Sequence, residues 1–174
     1  MNRIVGAKVS IVTHKVQTTR ARIRGIAMQE NSQLVFVDTP GLFKTRRKLD
    51  KAMVAAAWSG AADADIVVLI VEAHRGITSG VEMILEGLEK RDVKDQRLIL
   101  AINKIDKIKS DALLSLTQSL NQRLNFEETF MISAEKGYGV KVLQDWLSEN
   151  LPVGPYLYPE DQIADVPMRM IAAE

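Results

Sequence analysis

Cysteine is absent, which excludes disulfide partners and thiolate metal sites and fits a reducing compartment. A long apolar run is absent too. The run Ile66 to Val71 lies between Asp65 and Glu72 and, like the alanine-rich Ala52 to Trp58, is far shorter than the roughly 20 residues a membrane helix needs. The amino terminus, MNRIVGAKVSIVTHK, has neither an apolar segment of signal-peptide length nor a small-residue cleavage pattern, so the expected location is the cytoplasm. Nor is there a charge excess: a formal net charge of +1 gives no global field toward nucleic acid or membrane, leaving only local basic clusters. Only two histidines occur, His14 and His74, both isolated and read as structural or solvated. What is there is core material: 47% hydrophobic residues over 174 positions suit one domain of ordinary size.

The stretch that organises the chain is Leu34 to Phe43, LVFVDTPGLF. Four apolar residues without polar alternation predict a strand covered on both faces, as in a parallel α/β sheet, and they run directly into Asp38, Thr39, Pro40 and Gly41. The carboxyl edge of such a sheet is where ligands bind. There a carboxylate at Asp38 can hold a hydrated Mg²⁺ while the backbone N–H of Gly41 approaches a phosphate. The plain alternative is a strand followed by an ordinary turn, since Asp, Pro and Gly are the usual turn residues.

Taken in order, Met1 to Val5 with Gly6 behind it reads as the last turn of a helix with a glycine cap. Lys8 to His14 reads as a short extended piece and Lys15 to Arg20 as a loop. Ala21 to Met28 and Gln33 to Val37, separated by Gln29 to Ser32, predict a hairpin. Arg20, Arg22 and Arg24 share one face of its first strand, a pattern typical of a solvated face, with a nucleic-acid contact as the alternative. The basic run Lys44 to Lys48 suggests an exposed loop, and Leu49 to Ala64 an alanine-rich helix. A strand is expected at 65 to 72, a helix at Ser79 to Arg91 with Val81, Ile84, Leu85 and Leu88 on one face, and a strand at Arg97 to Ile102. A helix capped by Ser110 carries Leu113, Leu116, Leu120 and Leu124. A strand at Glu128 to Ile132 and a last helix with Val140, Leu143, Trp146 and Leu147 complete the series. Strands alternating with helices imply a doubly wound, mostly parallel α/β sheet. Pro152 to Pro159, with three prolines and a glycine, reads as a linker.

The strand ending at Ile102 runs into Asn103-Lys104-Ile105-Asp106. An asparagine amide can pair with a purine N7/O6 edge, a lysine stem can lie over the ring, and an aspartate can accept from N1–H and N2–H₂ of guanine. Adenine offers no such donor pair. A helix-initiating turn is the bland reading of the same tetrapeptide. The next strand ends in Ser133-Ala134-Glu135-Lys136-Gly137, where a small residue lets a backbone N–H reach a base and Lys136 can cover its other face.

Together QTTR at 17 to 20, DTPG at 38 to 41, NKID at 103 to 106 and SAEKG at 133 to 137 resemble, in order and spacing, the loop series of the Era family of P-loop GTPases. The stretch Pro159 to Ile163 resembles the Era linker leading into an RNA-binding KH domain, which the tRNA-modification and Der-type ribosome-assembly GTPases are not expected to share. The resemblance implies a P-loop GTPase G domain at 1–151, with 152–174 the linker and start of a KH domain. It implies GTP/GDP and Mg²⁺ as cofactors, and GTP hydrolysis coupled to small-subunit assembly and maturation of 16S rRNA. Its implied partners are 16S rRNA and the small ribosomal subunit, with peripheral membrane association.

Residue by residue, Thr19, with Thr18 its rival, resembles the switch threonine that senses γ-phosphate and Mg²⁺. Asp38 resembles the metal-side aspartate, in a loop completed by Thr39 and Pro40, and Gly41 the γ-phosphate amide. Asn103, Lys104 and Asp106 resemble the guanine readers, with Ser133, Ala134 and Lys136 completing the base pocket. Leu42 stands where Ras-like proteins keep a water-orienting glutamine, implying slow intrinsic hydrolysis. No G-x-x-x-x-G-K-[ST] loop and no G-x-x-G loop occur in the 174 residues, so the sequence departs from the resemblance at the phosphate loop and at the KH domain and reads as a fragment, or as one begun at an internal methionine. A non-hydrolysing nucleotide- or ribosome-binding module, and a related GTPase acting on tRNA or the large subunit, stay open as alternatives.

Overall fold

In the computed structural model, residues 1–7, 23–38, 63–90 and 97–163 are described. They fall into two units, one containing 1–7, 23–38 and 143–163, the other 63–90 and 97–142.

In the first unit, α1 (Asn2–Val5) ends at Gly6 with φ 76, the glycine-capped last turn the sequence predicts. Gly25 lets it pack closely, since a Cβ there would come within 2.9 Å of the Met1 and Val5 side chains. The hairpin is present as β1 (Ile23–Gln29) and β2 (Ser32–Asp38), paired antiparallel from Gln29↔Ser32 to Ile23↔Asp38. Its loop is only Glu30 and Asn31, with Glu30 at φ 51, so both strands reach further toward the turn than expected. Coverage of Leu34 to Val37 on both faces is not found: Leu34 is buried, whereas Val37 is 37% exposed. Among the described residues β2 has one partner, β1, and a strand paired on one side leaves part of its surface uncovered.

The second unit holds a parallel sheet ordered β3-β4-β5, made of Ile66–Glu72, Arg97–Asn103 and Thr129–Met131. β5 is shorter than the expected 128 to 132, yet backbone bonds from Glu127 N to Leu98 O and from Ile132 N to Ile102 O continue its pairing at both ends. Leu98 to Ile102 are all buried, as a strand with neighbours on both sides requires. β3 departs from the expected fully buried run. Leu69 and Val71 are buried, but Ile70 on the opposite face is 58% exposed.

Helix α2 (Ser79–Glu89) is capped by Thr78, whose hydroxyl accepts from Val81 N at 3.3 Å, and it buries Leu85 and Leu88. Helix α3 (Ser110–Arg123) corrects the expected cap. Lys109 occupies the capping position without a side-chain bond, and Ser110 is already the first helical residue because the 3₁₀ turn Ile105–Lys107 and extended Ile108 bring the helix start forward by one. Of its leucines only Leu120 is fully buried. Helix α4 (Val140–Asn150) buries Val140, Leu143 and Leu147, three of the four residues its spacing predicts.

Pro152 to Pro159 is not a free spacer. The Gln33 side chain accepts from Leu157 N at 2.9 Å and Tyr158 N at 3.0 Å and donates to Tyr158 O at 2.8 Å. Further along, Ile26 N donates to Ile163 O at 3.0 Å.

Candidate functional site

Parallel pairing in register brings the carboxyl ends of β3, β4 and β5 to one edge, with Glu72 opposite Asn103 and Ile102 opposite Met131. Two loops start there and are tied to each other by one side chain. Asn103 Oδ1 accepts from Lys104 N at 2.8 Å and from Ala134 N at 3.0 Å. Ile105 N donates to Ile132 O at 3.3 Å, joining the same loops through the main chain. Lys104 between these anchors takes the left-handed conformation at φ 62, uncommon for a residue with a side chain and sustained by these bonds.

Ser133 is fully buried and every polar group it has is used. Its N–H donates to Tyr138 O at 2.9 Å, its carbonyl accepts from Gly137 N at 2.7 Å, and its hydroxyl accepts from Lys136 N at 3.2 Å. The hydroxyl proton goes to the Asp106 carboxylate. That bond, outweighing the opposing effect of burial and helped by Asp106's own N–H, Lys107 and Lys136, holds the Asp106 carboxyl below the usual aspartate range. Asp106 is therefore an exposed anion, an acceptor at neutral pH, aimed by a buried serine. The loop closes at Gly139, with φ 68, where a Cβ would overlap the Met131 carbonyl oxygen.

Lys104 Nζ donates to Glu72 Oε1 at 2.5 Å, and His74 and Arg75 stand 3.8 and 3.9 Å from the same carboxylate. Burial alone would raise the Glu72 pKa, but the Lys104 hydrogen bond and these charges hold it below the ordinary value. Sequence reasoning missed both Glu72 and Gly139. For Glu72 the signal was available: it ends the run IVVLIV as Asn103 ends LILAI, so two polar side chains leave adjacent strands at one level.

Asn103, Lys104, Asp106, Ser133 and Ala134 are thus brought together, and Lys136 joins them through its backbone and charge. One detail differs from expectation. The Ala134 N–H expected to face a base is donated to Asn103 Oδ1, which leaves the Asn103 amide N–H₂ as that residue's outward donor. Asp38 ends β2, while Thr18, Thr19, Thr39, Pro40, Gly41 and Leu42 lie outside the described residues, as do Lys8 to Arg20, Lys44 to Lys48 and the helix expected at 49 to 64. Among the described residues no three acidic or histidine side chains cluster as metal ligands, and no helix is long and apolar enough to cross a membrane.

The family described as 50S ribosome-binding GTPase matches residues 1–104. The GTPase Era of Dinoroseobacter shibae is 70% identical over 99% of this chain, and that of Agrobacterium fabrum 57% identical over all of it. The chain spans 56% and 54% of those two relatives, about half their length. Among solved structures, Era in complex with MgGDPNP and nucleotides 1506–1542 of 16S ribosomal RNA superposes with a TM-score of 0.89 at 34% identity, covering 99% of this chain and 58% of that one. Aquifex aeolicus Era bound to GDP and AlF₄⁻ gives a TM-score of 0.88 at 33% identity, with 99% and 58% coverage. The chain therefore belongs to the family of 50S ribosome-binding GTPases, with the P-loop GTPase fold, and is similar to Era over its whole length.

Proposed function

We propose that this chain supplies the guanine-reading part of a GTPase that works on the small ribosomal subunit. The observation that carries the reading is the pair of loops joined by Asn103, with an ionised Asp106 aimed by Ser133. An acceptor-only carboxylate complements the N1–H and N2–H₂ donors of guanine and opposes adenine. The Asn103 amide N–H₂ suits N7 and O6. Lys104 and Lys136 would flank the ring.

Hydrolysis would require Mg²⁺ and phosphate contacts. Asp38 at the end of β2 is a hard oxygen ligand of the type Mg²⁺ takes, and Thr19 would be its partner on the switch loop, with Thr39, Pro40 and Gly41 forming the turn toward the γ-phosphate. When bound, Mg²⁺ would neutralise charge on the phosphates. The 16S rRNA and the small ribosomal subunit are the partners this reading implies, supported by the RNA-bound Era to which the chain is similar. The cytoplasm is the matching location. Residues 1–151 would form the G-domain portion and 152–174 the connection to an RNA-binding domain.

The test extends the chain at its amino terminus by a βα unit with a G-x-x-x-x-G-K-[ST] loop and titrates GTP and xanthosine triphosphate. Asp106→Asn should weaken GTP binding about tenfold or more and strengthen the xanthine nucleotide, because an amide N–H would oppose the guanine amino group but suit xanthine O2. Unchanged preference would remove Asp106 as the base reader.

A further inference from the structure

Lys104 stands out because both its ends are fixed. Its backbone is held at φ 62 by Asn103 Oδ1 and by the Ile105 to Ile132 bond one residue on. Its ammonium is held by Glu72 at 2.5 Å. The carboxylate itself sits on a firm base. Glu72 is the last residue of β3, in register with Asn103, and Ala73 N donates to Asn103 O at 2.8 Å. Nothing in strand pairing asks for a carboxylate here, since the ladder uses only backbone groups. Yet three basic side chains gather on it, and only Lys104 makes a hydrogen bond, His74 and Arg75 remaining at 3.8 and 3.9 Å.

A free lysine stem has four rotatable carbons and would have to be ordered each time a ring lies against it. Tied at both ends, it is ordered beforehand. We propose that Glu72 is a positioning residue that anchors the Lys104 ammonium, so that the Lys104 stem stands as a preset apolar wall for a purine ring. The proposal rests on the guanine-site reading given above and adds a division of labour. Asp106 chooses the base, whereas Glu72 sets how tightly any purine is stacked and does not discriminate among them.

The experiment uses the chain itself, ¹⁵N-labelled, titrated with GDP and xanthosine diphosphate at millimolar concentration and followed by NMR. Glu72→Gln keeps the side chain's shape and removes the charge. It should weaken GDP about three- to tenfold, the cost of ordering one long side chain on binding, with the ratio of the two nucleotides unchanged and the thermal midpoint near that of the parent. In a Lys104→Met background, which keeps the stem and lacks the ammonium, Glu72→Gln should have no further effect. The Lys104 ammonium ¹⁵N signal should be ordered in the parent and averaged in Glu72→Gln. Unchanged GDP affinity, or an equal loss in the Lys104→Met background, overturns the proposal. If Asp106→Asn leaves the nucleotide ratio unaltered, the guanine reading fails instead, and the ammonium signal still reports whether Glu72 holds Lys104. Absence of any GDP-induced shift in the parent overturns both.

Discussion

β2 and β4 look alike as text, LVFV and LILAI, yet one is buried along its length and the other at a single point. Among the described residues β4 runs between β3 and β5 and hides five consecutive residues, while β2 pairs with β1 alone and leaves Val37 37% exposed. The difference teaches that an apolar run reports a strand, whereas its burial is decided by how many neighbours the topology provides. It also explains where the legible site lies. The loop after β4 is braced from both sides, by Glu72 at the end of β3 and Ala134 beyond β5.

The largest expected effect tests that contrast. Leu100→Ala, at a fully buried position of β4, should cost about 2–5 kcal/mol of unfolding free energy, and Val37→Ala in β2 less than about 1 kcal/mol, measured by urea denaturation. Equal costs would mean that the two strands are covered alike. Next comes Gly139→Ala, which combines φ 68 with overlap on the Met131 carbonyl. It should destabilise by about 1–3 kcal/mol and broaden the amide signals of Ser133 and Ala134, because that loop holds the braced side of the site. Gln33→Ala removes three hydrogen bonds in the less covered unit. A loss of about 1–2 kcal/mol is expected to appear locally, as faster hydrogen exchange at Leu157 and Tyr158 with little change at β4.

The smallest effect is a pH dependence. Burial opposes ionisation of Glu72, but Lys104, His74 and Arg75 lower its folded-state pKa below 4.5, so folding favours the carboxylate. Its contribution is complete above about pH 4.5 and is lost as the pH falls through the lower folded value. The stability difference between the parent and Glu72→Gln should therefore close as the pH falls from about 4.5 toward about 3. A difference that grows over that range would reverse the assignment.

The helix periods, the hairpin and the NKID and SAEKG loops were legible because each is local: spacing, cap chemistry and turn residues lie within a few positions. What escaped was non-local. The Glu72 to Lys104 bond joins residues 32 apart in sequence, and the Gln33 clamp joins residues 124 and 125 apart. No window of text contains such pairs. The cap of α3 was misread for a subtler reason, since Ser110 has the right chemistry but a 3₁₀ turn shifted the frame by one residue. Thr19, Thr39, Pro40 and Gly41, like Leu42, lie outside the described residues, so the phosphate side of the site rests on the sequence alone.

Gln33 carries a consequence of its own. Its amide grips backbone groups of 157 and 158, not side chains, so the grip survives almost any substitution at those two positions except proline. The course of 157 and 158 is consequently written into the hairpin and not into the segment itself. Residues 157 and 158 thus owe their course to a glutamine 124 and 125 positions earlier, and their own side chains stay free to vary without moving the backbone they hang from.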